Sequence, residues 1–460
     1  MEQTLIFDAE LIRRYNQSGP RYTSYPTAVQ FSDRFSAEDY RHQVEQSNQA
    51  NNPLSLYFHI PFCDTVCFYC ACNKIATKDR SKAAPYLQHL FHEIEMQASL
   101  FNAEKKVTQL HWGGGTPTFI SHEEMAALMG RTRQCFDFAS DSEGEYSIEI
   151  DPREVGPDTI AFLRDLGFNR MSLGVQDFEL EVQKAVNRVQ SEAQTRHVME
   201  AARASGFHSV SFDLIYGLPH QTVESFRRTL DKVLELSPDR ISVFNYAHLP
   251  EVFKPQRRIN IDDVPRPEEK LEILQLAIEV LTRSGYVYIG MDHFAKPDDE
   301  LARAQREGTL YRNFQGYSTH ADCDLIGFGI TSIGMVADCY TQNYKTLDDY
   351  YARLDANQLP VYRGLVLSAD DKLRREIITR LICHFSLSKA DIETQFNIQF
   401  DQLFAAELTR LQALEADGLV TLSAEAIQVT PVGKLLIRNI CMVFDAYLSS
   451  DDRQRYSKVI

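Results

Sequence analysis

Four cysteines within ten residues are the most reactive group of side chains in this chain of 460 residues. Cys63, Cys67 and Cys70 form a C-x3-C-x2-C pattern, and Cys72 follows two residues later. Three closely spaced thiolates can bind three irons of a cubane iron–sulfur cluster and leave the fourth iron without a protein ligand. An iron with an open coordination position is reactive, so the spacing predicts a 4Fe–4S cluster that does chemistry.

Two other uses of these cysteines stay open at this point. A structural zinc site normally takes two separated pairs of Cys or His ligands, and no second pair follows in the sequence. A disulfide framework is unusual in a long chain without a secretory signal. The five remaining cysteines are dispersed, and we expect them to be buried free thiols: Cys135, Cys323, Cys339, Cys383 and Cys441.

The composition is that of an ordinary globular protein, with 44% hydrophobic and 24% charged residues. The net charge of −16 argues against nucleic acid as a general partner. The first residues lack a basic segment followed by an apolar core, and no apolar run is long enough to span a bilayer. These features predict a cytoplasmic protein with no membrane span.

Short β-rich segments alternate with amphipathic helical patterns through most of the chain. The predicted strands are 54–60, 107–112, 146–150, 170–175, 209–215, 240–246 and 286–291. The predicted helices between them include 85–101, 122–136, 158–166, 223–236 and 268–284. Serial strand–helix units predict an α/β fold built as a partial (β/α)6-type barrel, with a doubly wound sheet as the alternative.

The sequence predicts three domains. Residues 1–35 form an N-terminal arm, 36–363 form the barrel with its extension, and 364–460 form a mostly helical C-terminal domain. The last region shows helical patterns at 370–385 and 401–417, a hairpin at 418–430, and a final helix from 431 to about 449. This order resembles a winged helix, and the acidic composition favours a packing or lid role over DNA binding.

Polar and glycine motifs follow successive predicted strands. Barrel active sites form at the carboxyl ends of the strands, so these motifs are expected to share one pocket. Any one of the residues alone could equally be a helix cap or a structural group. The cysteine loop comes first, and the later strand ends carry Gly113–Gly115, Glu149, Gln176 with Arg188, Asp213, and Asn245 to His248.

These motifs together resemble those of the radical S-adenosylmethionine (SAM) enzymes. The resemblance narrows to the oxygen-independent coproporphyrinogen III oxidases, or dehydrogenases, of bacterial haem biosynthesis. It is carried by Cys72 beside the three other cysteines and by four longer runs. These runs are residues 18–27 (SGPRYTSYPT), 111–118 (HWGGGTPT), 313–317 (NFQGY) and 438–442 (RNICM).

The resemblance implies an oxidoreductase with a 4Fe–4S cluster and two SAM molecules. SAM cleavage at the cluster gives a 5′-deoxyadenosyl radical, which takes hydrogen from the β-carbon of a substrate propionate. Loss of CO2 and one electron leaves a vinyl group, and two rounds convert coproporphyrinogen III to protoporphyrinogen IX. An electron donor and an electron acceptor are required, and the sequence identifies neither. We expect a monomer.

The resemblance also implies roles for individual residues. The cluster ligands are Cys63, Cys67 and Cys70, which with Tyr57 and Glu149 form the catalytic set. The first SAM is contacted by Tyr57, Gly114, Glu149 and Ile333. The second SAM is contacted by Tyr69, Gly115, Thr116, Gln176, Arg188, Asp213 and Ala247. The substrate, a polyanion with four propionates, is expected to contact Arg21, Phe314 and Gln315.

Two rival functions remain. A radical-SAM-like haem chaperone shares the fold and cluster, but it typically lacks the fourth cysteine and the long N-terminal arm, which are both present here. A zinc or iron–sulfur module that docks a partner or nucleic acid is opposed by the acidic composition and by the polar strand ends.

Overall fold

The computed structural model describes residues 5–448, which divide into two compact units. The large unit comprises Phe31–Ala277 and Asp322–Val366. Within the described residues, the small unit comprises 5–30, Ile278–Ala321 and 367–448. Within the described residues, no helix has both the length and the apolar character needed to cross a membrane. The division into arm, barrel and C-terminal domain remains a prediction.

A mostly parallel sheet forms the core of the large unit. We number its first six strands by chain position: Leu54–Ile60, Lys106–Gly114, Glu145–Ile150, Arg170–Gln176, Ser209–Tyr216 and Arg240–Asn245. Each of these strands pairs in parallel with the next one along the chain. Successive one-step parallel crossovers are the arrangement of a β/α barrel wall, which confirms the predicted fold class.

The other edge of the sheet continues beyond the first strand. Asp324–Phe328 pairs with the first strand in parallel. Three antiparallel strands follow in sheet order, Ile333–Val336, Cys339–Asn343 and Val361–Val366. These four strands are absent from the sequence-based prediction.

Helices connect the strands of the large unit and cover its sheet. They are Ala37–Ala50, Ala83–Ala98, His122–Cys135, Pro157–Asp165, Leu180–Ala185, Glu192–Ala204, Val223–Leu236 and Leu347–Asp355. The helix Pro267–Arg283 begins in the large unit and ends in the small one. Capping boxes at Ser121, Ser191 and Thr222 satisfy the first amide groups of three helices and thereby fix where they start.

Several short elements complete the large unit. Its 3-10 turns are Arg80–Lys82, Pro117–Phe119, Lys254–Arg258 and Ile261–Asp263. Its two-residue strands are Phe62–Cys63, Ile75–Ala76 and Asp137–Phe138. The core beneath the sheet is aromatic, because buried Trp112 packs edge-on against Phe58 and Phe168.

The small unit is mainly helical. Its α-helices are Ala9–Tyr15, Glu300–Glu307, Ala369–His384, Lys389–Phe396, Phe400–Leu403, Ala405–Ala416 and Ile437–Cys441, with 3-10 turns at Ala28–Gln30, Gly433–Leu436 and Met442–Phe444. Its strands form a sheet of Ser386–Ser388, Ala426–Val429 and Val420–Leu422, and hairpins of Val287–Gly290 with His293–Ala295 and of Tyr311–Asn313 with Gly316–Ser318. The order of elements from Ala369 to Val429 is that of a winged helix, as predicted.

Two predicted segments are wrong, and a third is a strand as predicted but lies in a hairpin that was not predicted. The predicted strand 286–291 is present as Val287–Gly290 and pairs antiparallel with His293–Ala295, because the chain reverses at Met291, which has a left-handed backbone. The predicted helix 401–417 is interrupted at Phe404, a buried residue outside helical geometry. The predicted helix from 431 is instead three short turns ending at Phe444. This segment is buried on nearly all sides, so it lacks the polar face of a surface helix. The predicted end at 449 lies outside the described residues.

A fully buried carboxylate, Glu93, joins three parts of the large unit. Its oxygens accept hydrogen bonds from the Gly329 amide at 2.8 Å, the Asn343 side chain at 2.6 Å and the Tyr350 hydroxyl at 2.5 Å. Burial raises the pKa of Glu93 to about 7, against the opposing effect of these three donors. The carboxylate thus fixes the segment between the strand Asp324–Phe328 and Ile333.

We therefore expect Glu93→Gln to destabilise the protein by about 1–3 kcal/mol, since the new amide group faces hydrogen-bond donors and leaves one of them unsatisfied. The measurement is the melting temperature, which should fall. The matched control is Glu95→Gln on the same helix. The Glu95 side chain is 51% exposed and pairs with Arg131, so its loss should cost less than about 0.5 kcal/mol. Equal losses in the two variants would contradict this reading.

The contribution of Glu93 to folding stability should decrease as the pH rises. Because the pKa of Glu93 is raised on folding, its contribution to stability is greatest below the ordinary Glu range and is lost as pH rises through about 7. The stability difference between the original protein and Glu93→Gln should therefore shrink between pH 5 and pH 8. A difference that grows over this range would show that the three donors outweigh burial.

Candidate active site

The cysteine motif forms a closed loop at the carboxyl end of the first strand. The segment Phe62–Cys63 pairs in parallel with Ile75–Ala76. The Thr77 amide donates to the Cys63 carbonyl at 2.9 Å. This short ladder ties the two ends of the loop together, so the intervening cysteines are held at the edge of the sheet where a barrel active site forms.

The cysteines of this loop are free thiols with graded exposure. Cys63 and Cys67 are buried, Cys70 is half-buried and Cys72 is exposed. Among residues 5–448, no three His, Cys, Asp or Glu side chains converge closely enough to hold a single metal ion. In a cubane cluster each thiolate binds a different iron, so such convergence is not required. Three soft thiolates in one closed loop fit the predicted cluster.

The three glycines after the second strand let the backbone pass close to its neighbours. A Cβ on Gly113 would lie 2.9 Å from Glu149 Oε1, one on Gly114 would lie 2.7 Å from His59 Nδ1, and one on Gly115 would lie 2.7 Å from the Phe62 carbonyl oxygen. Gly114 also has a φ of +113°. A side chain at any of these positions would collide with the neighbouring residues, so only glycine lets the strand ends pack this closely.

The glycine segment is hydrogen-bonded to the cysteine loop. The Gly115 amide donates to the Ile60 carbonyl and the Thr116 amide donates to the Phe62 carbonyl, both at 2.8 Å. The Thr116 hydroxyl also donates to Cys63 Sγ at 3.5 Å. These hydrogen bonds hold the ends of the first two strands together and place Thr116 against Cys63, a predicted cluster ligand.

Tyr57 contacts two histidines, and one of them, His111, also contacts Glu149. The Tyr57 ring stacks on His111 with centroids 5.8 Å apart, and its hydroxyl lies 3.1 Å from His59 Nδ1. His111 Nε2 lies 3.4 Å from Glu149 Oε1, and the Gly114 amide donates to Glu149 Oε2 at 3.3 Å. The Glu149 side chain is still 47% exposed. A carboxylate held this way can accept from the ammonium group of a ligand.

Arg188 is fixed in a buried ion pair at the end of the fourth strand. Its side chain is 8% exposed, and Nη1 contacts Asp151 Oδ2 at 2.9 Å. Nη2 donates to the Gly174 carbonyl at 2.6 Å. A Cβ on Gly174 would collide with Arg188 and with the side-chain amide of Gln176. Gln176 has a left-handed backbone, and the pairing of the fourth strand with the fifth shifts register between Gly174 and Gln176. Such a bulge changes the direction of the side chain at the end of the strand.

Asp213 on the fifth strand lies beside the fourth. Its Oδ2 accepts from the Ser172 hydroxyl at 2.8 Å. Burial raises the pKa of Asp213 to about 6, and the nearby charge of Glu149 adds to this rise. The carboxyl therefore changes its ionisation close to neutral pH.

Tyr69 and Ala247 are joined by a residue from a distant turn. The Gln256 side-chain amide donates to the Tyr69 carbonyl at 3.1 Å and to the Ala247 carbonyl at 3.2 Å. Two residues predicted for one ligand, far apart in sequence, thus lie within the reach of one side chain. Ile333 follows the strand Asp324–Phe328, and the absence of a side chain at Gly327, which is in register with Tyr57, lets the Ile333 backbone approach closely.

The three predicted substrate residues all lie in the small unit. Arg21 forms an ion pair with Asp292. Phe314 and Gln315 form the turn of the hairpin Tyr311–Asn313 and Gly316–Ser318. The Gln315 Nε2 is buried and has no acceptor among residues 5–448. The assignment of these residues to the substrate remains a prediction.

Sequence reasoning assigned no role to several side chains that position the site. His59, His111, Ser172 and Gln256 contact the predicted ligand residues, and Arg153 contacts both Asp151 and Cys67. His59 comes two residues after Tyr57, and His111 comes two residues before Gly113. Residues two apart in a strand point to the same face, so this spacing could have indicated that each histidine lies on the site's side of the sheet. No local pattern identifies Gln256.

Comparison with known proteins gives consistent results. The family model described as the radical SAM superfamily matches residues 57–233, and the model described as the HemN C-terminal domain matches residues 367–436. A Pseudomonas aeruginosa protein named oxygen-independent coproporphyrinogen III oxidase is 55% identical over 460 residues, which is 100% of both chains. An Escherichia coli K12 protein of the same name is 52% identical over 459 residues, covering 100% of this chain and 99% of that one.

A solved structure is similar over nearly the whole chain. It is an Escherichia coli coproporphyrinogen III oxidase described as a radical SAM enzyme, and it matches with a TM-score of 0.93 at 50% identity. The match covers 97% of this chain and 100% of the solved one.

The geometry predicts different consequences for the four cysteines of the loop. Replacing Cys63, Cys67 or Cys70 by Ser should abolish cluster binding, because a hydroxyl is a hard and poor ligand for iron. Cys72→Ser serves as the matched control and should keep its cluster. Iron and sulfide content after anaerobic reconstitution measures the effect. The assignment of Cys63, Cys67 and Cys70 as the cluster ligands would be wrong if the Cys72 variant lost iron as completely as the other three.

Proposed function

Because this chain belongs to the oxygen-independent coproporphyrinogen III oxidase family of radical SAM enzymes, we propose that it converts coproporphyrinogen III to protoporphyrinogen IX in haem biosynthesis. The observation that carries the proposal is the full-length identity of 55% to an oxidase, with the cysteine loop at the carboxyl end of the first strand. The reaction decarboxylates two propionate side chains to vinyl groups.

The residues present fit the cofactors of this family. Cys63, Cys67 and Cys70 would hold the 4Fe–4S cluster. When bound, the cluster and SAM would together supply the radical chemistry that removes hydrogen from a propionate. The protein's own contribution is to bind, orient and exclude water from the reacting groups.

We assign the first SAM to the ends of the first and third strands. Glu149 would accept from its ammonium group, and Gly114, whose amide donates to the Glu149 carboxylate, would border the ligand. Tyr57 and Ile333 would border the same space. In support, His111 and the Gly114 amide hold the Glu149 carboxylate in place, while nearly half of its surface stays accessible.

A second SAM is a finer proposal. Its contacts would be Tyr69, Gly115, Thr116, Gln176, Arg188, Asp213 and Ala247. The Arg188 Nε is buried and has no acceptor within residues 5–448, so it is available to a ligand carboxylate. Gln256 brings Tyr69 and Ala247 together, which supports their use by one ligand.

Substrate binding is proposed for the small unit. Gln315 has a free buried donor, and neighbouring Arg312, which is 7% exposed, has two guanidinium nitrogens without an acceptor within the described range. Such donors suit a propionate carboxylate. We propose that the arm containing Arg21 covers the substrate. The arm is held by Arg438, which donates to the carbonyls of Gly19 and Pro20.

The haem chaperone is the second candidate. The relatives compared above carry the oxidase name, and Cys72 and the residue 18–27 run are both present in this chain. These features favour the oxidase. We further propose that the protein works as a cytoplasmic monomer with an external one-electron donor and a separate electron acceptor.

Anaerobic turnover of coproporphyrinogen III with SAM, an electron donor and an electron acceptor tests the function. The reconstituted protein should give protoporphyrinogen IX, identified by chromatography and mass, and Cys67→Ser should give none. Bound haem without any vinyl product would instead support the chaperone.

The pKa of Asp213 predicts a pH dependence for SAM binding. Below about pH 6 the carboxyl is protonated and attracts a cationic ligand less, so binding of the second SAM should strengthen as pH rises through about 6. Asp213→Asn cannot ionise and should lose this dependence. Equilibrium binding of SAM to the reconstituted protein at several pH values measures both the affinity and the number of bound molecules.

The first SAM provides an internal comparison, since Asp213 is not among its contacts and acts on it only through the charge of Glu149. Its affinity should change less than that of the second SAM in Asp213→Asn. If SAM affinity depends on pH in the same way in the variant and the original protein, Asp213 does not contact the second SAM. If only one SAM binds per protein under all conditions, the second site does not exist.

A further inference from the structure

One predicted cluster ligand is contacted by two arginines, whereas the others are not. Arg153 Nη2 lies 3.7 Å from Cys67 Sγ, and Arg188 Nη1 lies 3.6 Å from the same sulfur. Within residues 5–448, Cys63 Sγ accepts a hydrogen bond from the Thr116 hydroxyl at 3.5 Å, and Lys74 lies beside Cys70, where its ammonium group donates to the Cys70 carbonyl at 3.1 Å. Cys67 therefore differs from Cys63 and Cys70 in having two guanidinium groups against its sulfur.

Asp151 holds both arginines in place. Its Oδ2 contacts Arg153 Nη2 at 2.7 Å and Arg188 Nη1 at 2.9 Å. Arg153 Nε also donates to Asp151 Oδ1 at 3.0 Å, so this pair is bidentate. The side chains are 9% exposed for Asp151, 14% for Arg153 and 8% for Arg188. Solvent therefore screens these charges only weakly.

The backbone explains why Arg153 points at the sulfur. Asp151 directly follows the third strand, and its side chain accepts from the Arg153 amide at 3.1 Å, while its carbonyl accepts from the Glu154 amide at 3.0 Å. This Asx-type turn brings the guanidinium back over its own turn toward the end of the first strand. The motif Asp-Pro-Arg thus encodes a positioned cation.

Resting on the proposed function, we infer that Arg153 is a positioning residue that tunes the cluster by donating an N–H···S hydrogen bond to Cys67. Hydrogen bonds to the ligand sulfurs are among the factors that set the reduction potential of iron–sulfur clusters. A reduced cluster carries one more negative charge, which nearby cations stabilise. The two arginines and one aspartate leave a net charge of +1 beside Cys67.

Arg153→Gln removes the cation and the donor to sulfur together. The midpoint potential of the cluster should therefore become more negative. Arg153→Lys keeps a charge but cannot contact Asp151 in a bidentate way and reach the sulfur at once. Its potential should shift in the same direction by a smaller amount. The readout is an anaerobic dithionite titration followed by electron paramagnetic resonance, with no turnover required.

The matched control is Arg164→Gln. Arg164 forms a similar two-nitrogen contact with a carboxylate, that of Asp141, and none of its hydrogen bonds within residues 5–448 goes to a cysteine. Its removal should leave the cluster potential unchanged. Iron content is measured in all proteins, because an original protein that assembles no cluster would defeat the proposed function rather than this inference.

Unchanged midpoint potentials in both Arg153 variants, with normal iron content, would overturn the inference. So would a folded Arg153 variant that assembles no cluster while Arg164→Gln does, since Arg153 would then be needed for assembly instead of tuning.

Discussion

The parallel pairing of the first two strands is the constraint on which the site depends. Tyr57 is in register with His111, and Ile60 is in register with Gly114. The pairing continues past the end of the first strand through the Gly115 and Thr116 amides. Because of this register, the cysteine loop, the glycine segment and the Tyr57–His111 stack all lie at one edge of the sheet. A slip by one residue would turn each of these side chains to the opposite face.

Buried polar groups fix what the register brings together. Glu93 holds the segment leading to Ile333, and Asp151 holds two arginines beside Cys67. Groups of this kind contribute little to stability unless every hydrogen bond is made, and an incomplete set is costly. The molecule therefore combines a rigid pocket wall with charges whose positions are well defined. This is the preorganisation that a reaction with a short-lived radical requires.

The sequence predicted the part of the fold that local patterns encode. The six central strands were located to within two residues, because each is a short β-rich run followed by a turn or glycine motif. The strands from Asp324 onward and the hairpin that contains 286–291 were not predicted, because strand pairing depends on more than the local pattern. The segment after Pro431 was misjudged because burial on all sides removes the periodicity that identifies a surface helix.

In the candidate site, too, some residues could be identified from the sequence and others only from the folded structure. Cys63 and Glu149 stand at strand ends, where position alone indicates a functional role, whereas Asp213 lies within the fifth strand. Arg153 and Gln256 act through contacts with residues far away in the sequence, and only the folded chain shows these contacts. The family resemblance supplied the ligands that would occupy the site, which residue spacing alone could not identify.

The central claim is that this pocket directs a SAM-derived radical to a propionate of the substrate. The most direct measurement uses coproporphyrinogen III carrying deuterium on the β-carbons of its propionates, turned over anaerobically with unlabelled SAM. The account predicts deuterium in the 5′-deoxyadenosine produced, detected by mass spectrometry, together with the vinyl product. Vinyl product accompanied by unlabelled 5′-deoxyadenosine would contradict it.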